Sequence, residues 1–187
     1  MEEKDPRHLL VEITKILQKL KIPYIITGGM AVLVWGRPRF TADIDIAIEL
    51  KIEDIDSLTR DLLMLGRTNY IDKNMIKDAL RHGGEFNFIH GETGIKVDFW
   101  VLQKQPFELS RIKRRIAKRI LGKKVYFISP EDLILSKLQW YQQGQSIRHL
   151  EDIESILKIS KVDLRYIRKW ARKQSTSDVF NKVFQKI

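Results

Sequence analysis

The sequence predicts an α/β (α+β) protein in which helices flank a mixed β-sheet and a helical part follows at the C-terminus. Strand-like alternation and helical periodicity succeed one another through the first two thirds of the chain, whereas the last third shows helical periodicity alone. The 187 residues, 43% hydrophobic and 31% charged, fit one mid-sized folded domain with an appendage. We expect a core over residues 1–128 and a helical part over residues 129–187 that closes a cleft in that core.

The first elements are predicted from apolar spacing and from two adjacent glycines. Gly28 and Gly29 separate a short apolar run from a segment rich in helix-forming residues, which indicates a strand, a tight turn and a helix. From residue 43 to residue 50 isoleucines alternate with polar residues, which predicts a half-buried strand with an acidic outer face. The predicted elements are a helix over 9–20, a strand over 24–27, a helix over 30–35 and a strand over 43–50.

The later elements complete the predicted sheet and the helical part. Lys96, Asp98 and Trp100 alternate with apolar residues, so they share the polar face of one strand. Ser129 followed by Pro130 is typical of a helix start. The predicted elements are helices over 52–65 and 75–80, a hairpin of strands over 86–90 and 95–102, strands over 116–120 and 125–128, and helices over 133–141, 147–159, 164–173 and 179–184.

Composition excludes several classes of protein. The chain has no cysteine, which excludes disulfides, a thiol nucleophile and cysteine-bound metals and fits a cytoplasmic protein. The charged segment 1–8 does not resemble a signal peptide, and the apolar stretch 24–36 is too short to span a bilayer. The net charge of +10 favours a polyanionic partner such as a nucleic acid or a nucleotide.

Three acidic residues form the candidate catalytic centre. Asp43 and Asp45 lie two apart on a predicted strand, so their carboxylates project from one face, and Asp98 occupies the polar face of another strand. Like charges this close need a cation between them, and oxygen ligands alone suit Mg²⁺ or Mn²⁺. Enzymes that catalyse in-line phosphoryl or nucleotidyl transfer use two such ions. A turn at Gly28 and Gly29 would let backbone amides at the next helix start approach phosphate oxygens.

These residues resemble the signature of the nucleotidyltransferase superfamily that includes polymerase-β-like enzymes. The signature is a Gly-Gly or Gly-Ser pair, a spacer, and two acids alternating with hydrophobic residues, as in residues 26–29 and 43–46. Residues 37–45 are similar to the version found in abortive-infection-type (AbiEii-like) nucleotidyltransferase toxins, and segments 96–99 and 129–138 resemble further motifs of that group. Gly29 is a departure, because many relatives carry a serine there.

The resemblance implies a nucleotidyltransferase core and a metal-dependent transfer of a nucleoside monophosphate from an NTP to an acceptor hydroxyl. The net charge of +10 favours RNA as the acceptor, and the toxin relatives suggest a tRNA end, while a protein or small-molecule acceptor remains open. The resemblance also implies a toxin-like role with a cognate antitoxin as partner. The implied catalytic and Mg²⁺-binding residues are Asp43, Asp45 and Asp98, and the implied nucleotide-binding residues are Gly28, Gly29, Lys137 and Arg39.

Several alternatives remain open at the level of sequence. The acids could belong to a solvated strand face, Lys137 could be an exposed helix residue, and Lys96 could contact phosphate or merely balance the charge of Asp98. Arg148 and Asp152, four apart, are expected to pair across one helical turn. The alternative is that they belong to the helical motif of the family they resemble, in which the later Asp supports the site.

The basic run 111–124 could bind RNA or protect a sheet edge from pairing. Trp100 could stack on a base or simply pack. A non-catalytic, antitoxin-like module that binds a nucleic acid or a protein partner on the same fold is the alternative function. The identity of the NTP and of the acceptor, and the oligomeric state, are not encoded in any motif.

Overall fold

The computed structural model describes residues 5–187 and contains one seven-stranded mixed sheet. The strands are β1 Tyr24–Ile26, β2 Ile44–Ile48, β3 Tyr70–Ile71, β4 Gly84–Ile89, β5 Lys96–Val101, β6 Ile116–Ile120 and β7 Lys123–Phe127. Their order across the sheet is β3-β4-β5-β2-β1-β7-β6. The predicted α/β fold class with a mixed sheet is therefore confirmed.

Nine α-helices of the described residues surround this sheet, with a short 3₁₀ turn at Ile52–Asp54. The helices are α1 Pro6–Lys19, α2 Gly28–Trp35, α3 Ile55–Leu63, α4 Lys73–His82, α5 Pro106–Lys113, α6 Pro130–Gly144, α7 Ile147–Ile159, α8 Leu164–Lys173 and α9 Ser177–Phe184. Within the described part of the chain, no helix has the length and apolarity that a membrane span requires.

Strand direction brings the site residues to one edge of the sheet. β1 runs antiparallel to β2, and β2 runs parallel to β5. The carboxyl end of β1 and the amino ends of β2 and β5 therefore meet at the same edge. Because α2 begins at Gly28, immediately after β1, its first turn lies beside the acids of β2.

The alternation in β2 separates a hydrophobic face from the face that carries the site. Ile44, Ile46 and Ile48 have no exposed surface and point to one side, whereas Asp45 points to the other. Burial of each isoleucine contributes about 1.5–3 kcal/mol to folding relative to an exposed side chain. A shift of the strand by one residue would exchange these faces, so this burial also fixes the position of Asp45.

Helix α6 is the central element of the helical part. Ser129 caps it by accepting a hydrogen bond from the backbone N–H of Asp132, and every residue from Pro130 to Leu138 is buried. The helix packs against α7 and α8, while Trp140 contacts Trp100 of β5. The segment from Pro130 to Leu138 is buried on all sides because it lies between the sheet and the outer helices.

Two elements have no counterpart in the sequence prediction, and one predicted face is more enclosed than expected. β3 has only two residues, and α5 buries only Phe107 and Ile112, so neither carries a strong periodic signal. The sequence leaves open a solvated outer face for β2 and β5. In the structure α6 covers part of this face, and Ala47 is fully buried.

Candidate active site

Asp45 and Asp98 lie side by side on β2 and β5, two neighbouring inner strands of the sheet. They are register partners on the parallel strands β2 and β5, so their side chains leave the same face from adjacent positions. Asp98 is 6% exposed, and its Oδ1 atom has no hydrogen-bond partner among the described residues. Asp43 precedes β2, and its side chain is 44% exposed. The sheet thus brings the three predicted acids to one region.

Burial of Asp45 raises the pKa of its carboxyl group above the ordinary value, and the neighbouring charge of Asp98 raises it further. The backbone N–H of Gly29 opposes this rise. An ionised carboxylate at position 45 is therefore costly unless a cation compensates it. This is the electrostatic condition that favours metal binding.

Lys96 supplies one positive charge to this group. Its Nζ lies 2.7 Å from Asp98 Oδ2 and 3.8 Å from Asp43 Oδ2. The hydrogen bond to Asp98 raises the pKa of Lys96. The interpretation of Lys96 as a charge-balancing neighbour of Asp98 is confirmed.

The acids have the donor chemistry that a divalent cation requires, although Lys96 contacts two of them, Asp98 and Asp43. Across residues 5–187, no three His, Asp or Glu side chains are arranged as a metal-binding group. Asp45 and Asp98 nevertheless offer adjacent hard oxygen donors, and the unpartnered Oδ1 of Asp98 is a buried acceptor in need of a ligand. The residues present therefore suit Mg²⁺ or Mn²⁺ better than softer metals.

The two glycines are required by close packing against the site. Gly28 has a φ of +58°, and a Cβ atom there would lie 1.8 Å from Asp45 Oδ2. A Cβ atom on Gly29 would lie 2.3 Å from Thr41 Oγ1. Only glycine lets the first turn of α2 approach the carboxylate of Asp45 this closely. The backbone amides at this helix start are a suitable cradle for an anion.

Lys137 and Arg39 meet at a shared carboxylate. Asp152 of α7 accepts hydrogen bonds from Lys137 Nζ at 2.7 Å and from Arg39 Nε and Nη2, each at 2.8 Å. Burial lowers the pKa of Lys137, which is 1% exposed, and Asp152 opposes that shift. Lys137 is therefore not an exposed helix residue. The expected pairing of Arg148 with Asp152 is wrong, because Asp152 binds these two cations instead.

A cleft of about 820 Å³ opens above these residues. Six of the seven predicted site residues line it: Gly28, Gly29, Arg39, Asp43, Asp45 and Lys137. Asp98 lies beneath, beside Asp45. The lining also contains four residues that the sequence motifs do not indicate: Trp140, Gln143, Gly144 and His149. Trp140 follows Lys137 by three residues, so the two share a face of α6. This spacing could have indicated Trp140 from the sequence.

This fold and this site define a nucleotidyltransferase. Residues 14–182 match the family model described as "Nucleotidyl transferase AbiEii toxin, Type IV TA system", so the chain belongs to that family. Membership makes it an enzyme that transfers nucleotidyl groups, in preference to the non-catalytic module. No relative was found among curated protein sequences.

Three solved structures share this fold. ANT(2'')-Ia in complex with adenylyl-2''-tobramycin superposes with a TM-score of 0.62 and 16% identity, covering 91% of this chain and 97% of that one. An antigenic nucleotidyltransferase-like protein from Paracoccidioides brasiliensis has a TM-score of 0.55 and 21% identity, with 96% and 92% covered. The lincosamide antibiotic adenylyltransferase LnuA, lincomycin-bound, has a TM-score of 0.54 and 16% identity, with 83% and 98% covered.

Proposed function

We propose that the protein transfers a nucleoside monophosphate from an NTP to an acceptor hydroxyl and releases pyrophosphate, with Mg²⁺ held by Asp43, Asp45 and Asp98. The observation that carries this proposal is the register of Asp45 with Asp98 beside the first turn of α2. A divalent ion bound to these acids would neutralise phosphate charge and favour attack by the acceptor hydroxyl.

The chain's own residues would position the triphosphate. The backbone amides of Gly28 and Gly29 would donate to phosphate oxygens at the helix start, where the helix dipole favours anions. Lys137 and Arg39 line the same cleft and would supply positive charge near the phosphates. Asp152 holds both cations in place through hydrogen bonds, so we assign it a positioning role. Asp98 would accept a hydrogen bond from the attacking hydroxyl and orient it.

RNA is the acceptor that the charge distribution favours. Residues 109–130 contain eight Lys and Arg and no acid, and residues 161–173 contain six Lys and Arg and one Asp. Together these segments carry +13, against +10 for the whole chain, so the remaining residues are net negative. Arg114 stacks 3.9 Å from the ring centre of Tyr166 and joins the two segments. We call residues 113–124 and 161–173 the basic surface, and we propose that it binds the RNA backbone.

We further propose a cytoplasmic toxin that a cognate antitoxin counteracts. The family description names a toxin of a type IV toxin–antitoxin system. NTPs, Mg²⁺ and RNA are all available in the cytoplasm. Expression of the protein alone should then slow growth, and Asp45→Asn should remove that effect.

The proposal is tested by incubating the protein with Mg²⁺, total RNA and each labelled NTP in turn. We expect one or more labels to enter RNA with wild type and none with Asp45→Asn. Asp56→Asn is the matched control, because Asp56 is exposed and lies outside the cleft. Equal RNA retention by wild type and Asp45→Asn without any transfer would support the binding module and reject the enzyme.

A further inference from the structure

A second cavity adjoins the catalytic cleft on the same face of the sheet. It has a volume of about 250 Å³ and shares Trp100, Trp140 and Gln143 with the cleft. Ala47 and Trp100, which are register partners, lie beneath it, two residues along the strands from the pair Asp45 and Asp98. Two residues along a strand correspond to about 7 Å. A ligand whose phosphates lie at the acids could therefore extend into this second cavity.

Three buried polar atoms of its lining have no hydrogen-bond partner among the described residues: Thr27 Oγ1, Trp100 Nε1 and Arg111 Nε. Thr27 is 1% exposed, and its hydroxyl makes no hydrogen bond although the residue is the N-cap of α2. Arg111 binds Ser136 and Glu108 through its two Nη atoms, which leaves Nε without a partner. Unpaired buried polar groups are rare in folded proteins, because each costs about 1–3 kcal/mol. All three residues line the same small cavity, which points to a missing ligand.

The chemistry of the lining selects a neutral, planar ligand. The charge of Arg111 is balanced by Glu108, and the other polar residues are uncharged. A phosphate would find no excess positive charge there. The side chains of Gln103, Gln105 and Gln139 offer paired donors and acceptors, which match the edge of a nucleobase. The rings of Trp100 and Trp140 at the entrance, with centroids 6.3 Å apart, offer stacking surfaces.

We propose that this cavity is a nucleobase subsite, with the base contacted at its edge by Gln139 and Thr27 and stacked against Trp140. The inference rests on the proposed nucleotidyl transfer, since it assigns one end of the same ligand-binding region. A cavity of this size is smaller than the roughly 300–1,000 Å³ that drug-sized ligands occupy, which suits one base rather than a whole nucleotide. The base belongs either to the NTP or to the end of the acceptor RNA.

The test compares ligands that do and do not carry a base. Wild type, Thr27→Val and Gln139→Leu are titrated with each NTP, with a short oligoribonucleotide and with inorganic tripolyphosphate, all with Mg²⁺, and tryptophan fluorescence reports binding. Thr27→Val keeps the shape of a side chain whose hydroxyl is unpaired, so it should fold normally. Gln142→Leu is the matched control, because Gln142 lies on α6 and lines neither cavity.

We expect both variants to weaken binding of at least one base-bearing ligand by roughly tenfold, the discrimination that hydrogen bonds to one base edge provide, and to leave tripolyphosphate binding unchanged. Weaker NTP binding would assign the base to the donor, and weaker oligonucleotide binding alone would assign it to the acceptor. Unchanged binding of every ligand, or an equal loss for tripolyphosphate, overturns the subsite. If wild type binds neither an NTP nor tripolyphosphate, the proposed function itself is rejected.

Discussion

Asp45 of β2 and Asp98 of β5 face each other as register partners on parallel strands, and burial together with the charge of Asp98 raises the pKa of Asp45. Two adjacent carboxylates in a largely enclosed position destabilise the fold when both are ionised. The site is therefore under electrostatic strain that a bound cation would relieve. Such strain at a functional position is expected where activity and stability conflict.

The first prediction concerns Asp45→Asn. Because the raised pKa disfavours the ionised carboxylate, the wild-type protein loses stability as pH rises through that pKa, whereas the amide does not titrate. We expect Asp45→Asn to melt at a higher temperature than wild type at pH 7. The increase should be about 2–4 °C for each kcal/mol by which the substitution raises the free energy of unfolding. This advantage should shrink as pH falls towards the ordinary carboxyl value of 3.8. Thermal melts between pH 4 and 8 measure it.

The same variant should lose transfer activity by at least about 100-fold, since loss of a mere supporting partner of a metal ligand already costs 10–100-fold. Mg²⁺ should raise the melting temperature of wild type more than that of Asp45→Asn. A variant that is less stable than wild type at pH 7, or that responds equally to Mg²⁺, would contradict the strained carboxylate pair.

The second prediction concerns Gly28→Ala. A methyl group at this position would overlap Asp45 Oδ2 and would also occupy a backbone with φ +58°. We expect a large loss of activity together with a lower melting temperature. Gly94→Ala is the control, because its φ is +71° and nothing lies within 4 Å of the added Cβ atom. The control should show backbone strain alone, about 1–2 kcal/mol. Equal transfer rates in the two variants would reject the close packing against Asp45.

The positions of these residues show which parts of the site the sequence can predict. Alternation places Asp45 and Asp98 on polar strand faces, and spacing places Gly28 before a helix. The adjacency of β2 and β5 depends on contacts between distant segments, which no local pattern encodes. For the same reason local spacing pairs Asp152 with Arg148 one turn away, whereas its partner Arg39 is more than one hundred residues distant in the chain. The second cavity has no sequence signal because it is formed by α5, which has little periodicity, together with β5 and α6.

The third prediction concerns the pair formed by Asp152 and Lys137, whose side chains are 4% and 2% exposed. Asp152→Ala would leave Lys137 buried without a counter-charge, which should cost about 3–5 kcal/mol of unfolding free energy. Lys137→Met should cost less, because Asp152 keeps its two hydrogen bonds from Arg39. Combining the two substitutions should recover part of the loss. Denaturant melts of the two single variants and the double variant measure this coupling, and simple additivity would contradict it.

The fourth prediction concerns Lys96, which lies beside Asp98 and Asp43 where a cation would bind. Lys96→Met removes a like charge from the neighbourhood of Mg²⁺. A unit charge 4 Å away contributes about 1 kcal/mol under water-like screening, so half-maximal activity should need about fivefold less Mg²⁺. Lys51→Met, at an exposed lysine outside the cleft, is the control. A higher Mg²⁺ requirement would show that Lys96 supports the metal site rather than competing with it.

The fifth prediction concerns the basic surface. Four exposed side chains of α8 recur at helical spacing on one face and form no ion pair within residues 5–187: Arg165, Arg168, Lys169 and Arg172. Their replacement by glutamine should weaken RNA binding and reduce the dependence of log affinity on log salt concentration by roughly 1 for each phosphate that the protein no longer neutralises. Replacement of four other exposed cations, Lys51, Lys77, Arg81 and Lys104, removes the same charge elsewhere. Filter binding of labelled RNA at several salt concentrations separates the two. Both variants have the same net charge. If they weaken RNA binding equally, the affinity for RNA depends only on the overall charge of the protein, and α8 is not the RNA-binding surface.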